Sequence, residues 1–202
     1  MMRSVTLRRS VTILSLMLAT ISLGGCKEMT RWDAHGSWSG TVSLPGEAVT
    51  SGQGSVDAGE GAPTKPRLSM CDVREVTFGL PFTGAVRGEP AAVRVRIGEP
   101  LCRMGRSSVQ GGSVLVWTPL GQDTLTVRAV PSDDWEVSGE LEVLRYDDAG
   151  LPDLDVGESA TTEVVSGTFT VSAVDSTGGT IVLEEVAFEL AITATRVELS
   201  IS

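Results

Sequence analysis

The chain has 202 residues and a net charge of −10, and Val (25), Thr (20) and Gly (23) together make up a third of it. β-Branched residues suit a pleated surface and Gly at that density interrupts helices, so the composition points to strands within one globular domain. Two Lys and a single His exclude an extended cationic surface for nucleic acid and most metal-dependent or histidine-based catalysis.

Residues 1–10 carry Arg3, Arg8 and Arg9 and no acid, and 11–23 form an uncharged, largely apolar run. A basic start, a short apolar run and small residues ahead of a cut read as an export signal. As a helix the run spans roughly 20 Å, short of the ~30 Å hydrocarbon core of a bilayer. Leu23-Gly24-Gly25-Cys26 resembles the lipobox of bacterial lipoproteins. The resemblance implies removal of 1–25 as a signal peptide and a covalent lipid on Cys26. It also implies attachment to the cell envelope, with Lys27 in place of Asp favouring the outer membrane of a diderm. Two or more acyl chains make such attachment stable. Residues 26–36 are polar and read as a short tether.

Without the leader, residues 27–110 hold 10 basic and 9 acidic groups, whereas 111–202 hold 3 and 17. The acidity therefore belongs to the second half, as solvated strand faces or a partner-facing surface. With Cys26 acylated in an exported chain, Cys71 and Cys102 remain as a pair and predict a disulfide. Closing a loop of about 30 residues stabilises by ~3–4 kcal/mol in the chain-entropy picture.

Residues 37–44 alternate and read as the first strand, and 45–66, rich in Gly, Pro, Ser and acids, as a flexible loop. Strand patterns follow at 74–80, with Val76, Phe78 and Leu80 on one face, and at 92–97, with Val93, Val95 and Ile97 inward. Gly111-Gly112 reads as a hairpin turn between 107–110 and 113–118. Further strands are expected over 124–130, 135–146 and 165–174. After a turn at Thr177-Gly178-Gly179 the alternation resumes at 180, slipping at Glu184-Glu185 and again at Thr195-Arg196. Slips of one residue are the sequence form of β-bulges. About nine to eleven short strands predict an all-β domain over 37–202, an antiparallel β-sandwich. Gly36-Ser37-Trp38 at the first strand, with Arg196 near the end, resembles the G-x-W signature of lipocalins. That resemblance implies the alternative, a lipocalin-like β-barrel carrying a small apolar ligand. The family's T-D-Y turn and its helix before the last strand have no counterpart here.

No nucleophile elbow, Walker loop, paired-His helix or CxxC motif occurs, so no enzymatic activity is expected. His35 falls in the tether beside Asp33, and Glu140 and Glu142 share a strand face expected to be solvated. The segment 147–158 offers Asp147, Asp148, Asp153, Asp155 and Glu158 with bends at Gly150, Pro152 and Gly157. Hard oxygen donors in a flexible loop suit Ca²⁺, which makes this a weak Ca²⁺ candidate and the only cofactor considered beyond the lipid. The expected role is that of a membrane-anchored envelope lipoprotein with a structural or protein-interaction function and an envelope protein as partner. Carriage of a small apolar ligand is the alternative.

Overall fold

Apolar and polar side chains alternate along nine strands, and the period of two decides which face each residue presents. The computed structural model describes residues 27–61, 67–80, 91–119, 127–132 and 135–199; the leader and Cys26 lie outside them. The strands are β1 (Lys27–Ser43), β2 (Thr50–Gly61), β3 (Glu75–Gly79), β4 (Ala91–Ile97), β5 (Gly105–Pro119), β6 (Val127–Ser132), β7 (Trp135–Asp148), β8 (Ser159–Asp175) and β9 (Thr180–Leu199).

Apart from β6 and β7, which both pair antiparallel with β5, each strand pairs antiparallel with its sequence neighbour, and β1 pairs with β9 from Lys27↔Leu199 to Ser43↔Val182. β4 also pairs with β5, so the sheet closes on itself. β6 and β7 share one place in the ring: β6 lies along residues 114–119 of β5, and β7 along 105–108. The result is a closed, eight-stranded, up-and-down antiparallel β-barrel.

This corrects the expected β-sandwich. Alternation is the same in a sandwich and a barrel, since both bury one face of every strand. The difference is whether the first and last strands find each other, and here they do along nearly their whole length. Closure also leaves no open edge between β1 and β9. Two boundaries change with it. The stretch read as a tether, 26–36, lies almost wholly in β1, and most of the expected 45–66 loop is β2. The loop reading failed because β2 turns Gly52, Gly54, Val56 and Ala58 inward, a face too small-sided to look like a core pattern.

Gly111-Gly112 makes no hairpin. β5 runs through it, and its register against β4 shifts between Val95↔Gly112 and Ile97↔Val109, with Gly111 at φ 127°. The pair marks a bulge, where Gly adopts a backbone conformation closed to other residues. The slip at Glu184-Glu185 is a bulge as expected, with Glu185 at φ 49° and register shifts against both neighbours. The second slip lies not at 195–196 but across the ladder in β8, between Thr161 and Glu163.

The interior is filled from all sides. Trp32, Trp38, Phe78, Ile97, Leu141, Leu183 and Leu190 are among the largest fully enclosed side chains. Phe78 on β3 and Phe169 on β8 come from opposite walls and stack with centroids 3.9 Å apart; Phe188 tilts against Phe169 at 6.0 Å. Trp38 lies against β2, and its indole Nε1–H donates to the Gly79 carbonyl at 2.9 Å.

A Cβ at position 54 would stand 2.1 Å from the Gly79 oxygen and 2.5 Å from Trp38 Nε1, the two ends of that hydrogen bond. Gly54→Ala is therefore expected to lower unfolding free energy by about 1–3 kcal/mol through overpacking and loss of the bond. Gln53→Ala, on the exposed face one residue away, should change it by less than ~0.5 kcal/mol. Denaturant midpoints of the two variants compare them directly.

Candidate functional site

In an up-and-down barrel successive connections alternate between the two ends. One end gathers the start of β1, the β2–β3, β4–β5 and β7–β8 connections and the end of β9. It is sealed. From the β2–β3 connection Leu68, Met70 and Val73 are buried beneath the barrel, and Leu101 enters from the β4–β5 connection at 0 % exposure. Leu154 of the β7–β8 connection packs against the same core. Cys71 and Cys102 form the expected disulfide, joining two of these connections with Cα atoms 4.9 Å apart.

The seal is held by a buried acid. The bulge in β8 leaves both Thr162 and Glu163 enclosed, at 0 % and 1 % exposure. Glu163 Oε2 accepts the Met70 backbone N–H at 2.8 Å, the Tyr146 hydroxyl at 3.1 Å and the Ser69 hydroxyl at 3.2 Å. Its Oε1 accepts Arg67 Nη2 at 2.9 Å, and the same nitrogen reaches Asp148 Oδ1 at 3.1 Å. A carboxylate has about four lone-pair sites, so Glu163 is fully satisfied. Burial, then the hydrogen bond to Glu163 and the charges of Glu163 and Asp148, push the Tyr146 phenol up to about 12, against a smaller opposing pull from Arg67. Burial works against the charged form of Arg67, yet the bonds and charges of Glu163 and Asp148 outweigh it and hold the guanidinium above its ordinary value. This group is a fastening rather than a reaction centre: both oxygens of the Glu163 carboxylate are committed to other parts of the fold.

The Ca²⁺ candidates lie at this end but do not converge. Asp147 pairs with Arg145, and Asp148 is taken by Arg67 and by the Gly150 N–H at 2.8 Å. Glu158 turns back to accept the Asp155 N–H at 3.0 Å. Among the described residues no three acidic, His or Cys side chains are grouped to hold a metal.

On the outer wall, His35 stands 3.4 Å from Asp33 and faces Asp57 across the ladder, more than half exposed. Burial and the nearby Asp33 raise Asp57, with His35 acting in the opposite sense. Ser37, Ser39, Gln53, Ser166, Ala187 and Glu189 line an open, shallow concavity of about 760 Å³ outside the barrel. Glu140, Glu142 and Glu185 line another of about 380 Å³ with Arg106, which pairs with Glu142 at 3.6 Å.

The end opposite the seal is different. Toward it the barrel is lined by Val42, Leu80, Ala91, Val171, Ala173 and Leu183, all buried and all aliphatic. Trp38 and Trp135 border the same half. The Trp–Arg stack implied by the lipocalin resemblance is not formed. Arg196 sits opposite Thr30 and pairs with Glu28 at 2.9 Å, whereas Trp38 lies opposite Phe188, eight register positions away. Among the described residues no helix is long and apolar enough to cross a membrane. Comparison with protein-family models, curated proteins and solved structures finds no match.

The Glu163 group was not singled out from sequence, although a signal was present. Glu163 is an acid in phase with Val165, Phe169 and Val171, on the face that must be buried. An acid in that phase needs partners, and Tyr146 is the chain's single tyrosine.

That single tyrosine makes the network measurable. Its folded value of about 12 lies above the unfolded value near 10, so folding favours the neutral phenol. The resulting stabilisation is complete below pH 10 and is lost as pH rises from 10 through 12. Absorbance titration at the tyrosinate band is expected to give a midpoint near 12 in the native protein, and a lower one in Glu163→Gln. Glu163→Ala, which leaves the buried Met70 N–H and the Tyr146 hydroxyl without their acceptor while Arg67 keeps Asp148, should cost about 1–3 kcal/mol in denaturant unfolding.

Proposed function

We propose that this protein is an exported lipoprotein, acylated at Cys26, whose barrel carries a small apolar ligand. The observation that carries the second part is the asymmetry of a closed eight-stranded barrel: one end is sealed by a disulfide and by the buried Glu163 with its half-exposed partner Arg67, and among the described residues the other half is lined by aliphatic side chains without a charge. Barrels of eight strands either fill their bore with side chains or hold one small ligand. Here the Phe78–Phe169 stack fills the middle and the side chains above it are packed, so a ligand would enter that upper half by displacing side chains around Ala91, Ala173 and Leu183. Closure of the sheet favours this reading over the sandwich-based contact module. Support for export comes from the lipobox-like Leu23-Gly24-Gly25-Cys26 and from the Cys71–Cys102 disulfide, which suits an oxidising compartment.

A contact role in the envelope is the second reading, and the outer-wall concavity around Ser37, Ser39 and Glu189 favours it. Its open form, lined by Trp38 and Phe188 as well as by Ser37, Ser39 and Glu189, suits a protein surface more than an enclosed small molecule.

Titration with medium-chain fatty acids is expected to change Trp emission saturably, because Trp38 and Trp135 border the proposed site. Ala173→Leu, placed in the lining, should weaken the response at least about tenfold by filling space while leaving the fold cooperative. A parent protein whose emission does not respond to any chain length would rule out carriage.

A further inference from the structure

Three exposed apolar side chains stand on the connections of the sealed end: Met104 at 67 % exposure, Leu151 at 47 % and Val156 at 47 %. They come from two different connections, β4–β5 and β7–β8, and both are pinned. The first is held by Cys71–Cys102; the second by the Gly157 N–H on the Arg196 carbonyl and the Arg196 N–H on the Glu158 carbonyl. Each connection also sends one residue, Leu101 or Leu154, against the core, so these apolar side chains are held outward on anchored backbone. At the same end Lys27 is already the first residue of β1. Among the described residues Lys27–Arg31 pair with β9 alone, and β2 joins β1 only from Trp32, so Cys26 is joined to the barrel wall through a short two-stranded ribbon rather than a free tether.

We infer that the sealed end is a lipid-contact surface, with Met104, Leu151 and Val156 entering the interfacial layer of the bilayer that holds the acyl group of Cys26. The inference rests on the acylation proposed above. An acyl chain on the residue before β1 brings this end to within that ribbon's length of the headgroups, and the β7–β8 connection lies against the ribbon through the bonds of Gly157 and Glu158 to Arg196. Apolar side chains on it then leave water at no cost in tether entropy. The occupant is a zwitterionic surface rather than an anionic one. At the same end Glu28 is paired with Arg196 and Arg103 with Glu99, whereas Asp153, Asp155 and Glu158, beside Leu151 and Val156, make no ion pair among the described residues and would be repelled by anionic headgroups. In this orientation the aliphatic half of the barrel points away from the membrane, toward whatever delivers or receives its ligand.

The test uses the full chain, exported, processed and purified with its lipid, then reconstituted in phosphatidylcholine vesicles containing brominated lipid. Leu151→Trp places a reporter on the sealed end and Val49→Trp, 64 % exposed in the parent, places one at the other. The added Leu151→Trp emission is expected to fall about twofold relative to unbrominated vesicles, as for a side chain at the headgroup–acyl boundary. Val49→Trp emission should not change, and anionic lipid should not deepen the quenching. A lipid-bearing protein in which Leu151→Trp is unquenched, or Val49→Trp is quenched as much, overturns this inference alone. An intact mass without the acyl group overturns the anchor reading, and this inference falls with it.

Discussion

The contact between Phe78 and Phe169 sets the bore of the barrel. Their strands stand four places apart in a ring of eight, as far apart as the ring allows, and their rings stack at 3.9 Å. Two opposite walls are thus held at a distance fixed by two aromatic side chains. Everything at that level must be small or thin. Gly52 and Gly54 on β2 let Trp38 lie flat beside the stack, and the indole spends its one donor on Gly79. The aromatic contact contributes something beyond the area it buries.

That cross-brace divides the interior into two halves of different chemistry. Below it the chain runs back under the barrel and is fastened by Glu163. An ionised carboxylate in such a place is tolerated because four donors reach it, one of them the backbone of the plug itself. A buried ion pair is weak evidence for stability, but it is specific: no apolar residue at 163 could dictate where Arg67 and Met70 settle. The disulfide and Glu163 therefore act on different quantities. Cys71–Cys102 restricts the unfolded chain, whereas Glu163 selects one position for the plug in the folded one. Above the brace no such device appears among the described residues, and the lining is aliphatic.

The strand pattern was legible because alternation is local. Positions 76, 78, 80, 93, 95 and 97 are buried as their phase requires, and the bulge at Glu184-Glu185 is visible as a slip. Three things were not legible, each for a physical reason. Closure depends on β1 meeting β9, a contact between residues far apart in sequence, from Lys27↔Leu199 to Ser43↔Val182, that no local pattern encodes. β2 was read as a loop because its inward side chains are Gly, Val and Ala, small enough to sit under Trp38 and therefore without a hydrophobic signature. The Gly111-Gly112 pair has the composition of a turn, yet a bulge asks for the same backbone freedom, and only the partner strand distinguishes them. At the candidate site the Cys71–Cys102 pairing followed from cysteine arithmetic. The fastening at Glu163 required noticing one acid in the wrong phase.

The uneven charge of the chain acquires a shape from the same topology. In an up-and-down ring, neighbours in sequence are neighbours in space, so a half of the sequence becomes an arc of the wall. Glu136, Glu140, Glu142, Glu184, Glu185 and Glu189 fall on β7 and β9, while Arg94, Arg96 and Arg106 fall on β4 and β5. The pair Arg106–Glu142 marks one seam between the arcs. The asymmetry is thus circumferential, not axial. It cannot decide which end faces a surface, but it does decide which side of the barrel a charged neighbour can approach. The acidic β7–β9 arc is the side that a cationic surface would approach. A sandwich would have split the acids between two sheets; only closure gathers them onto one side.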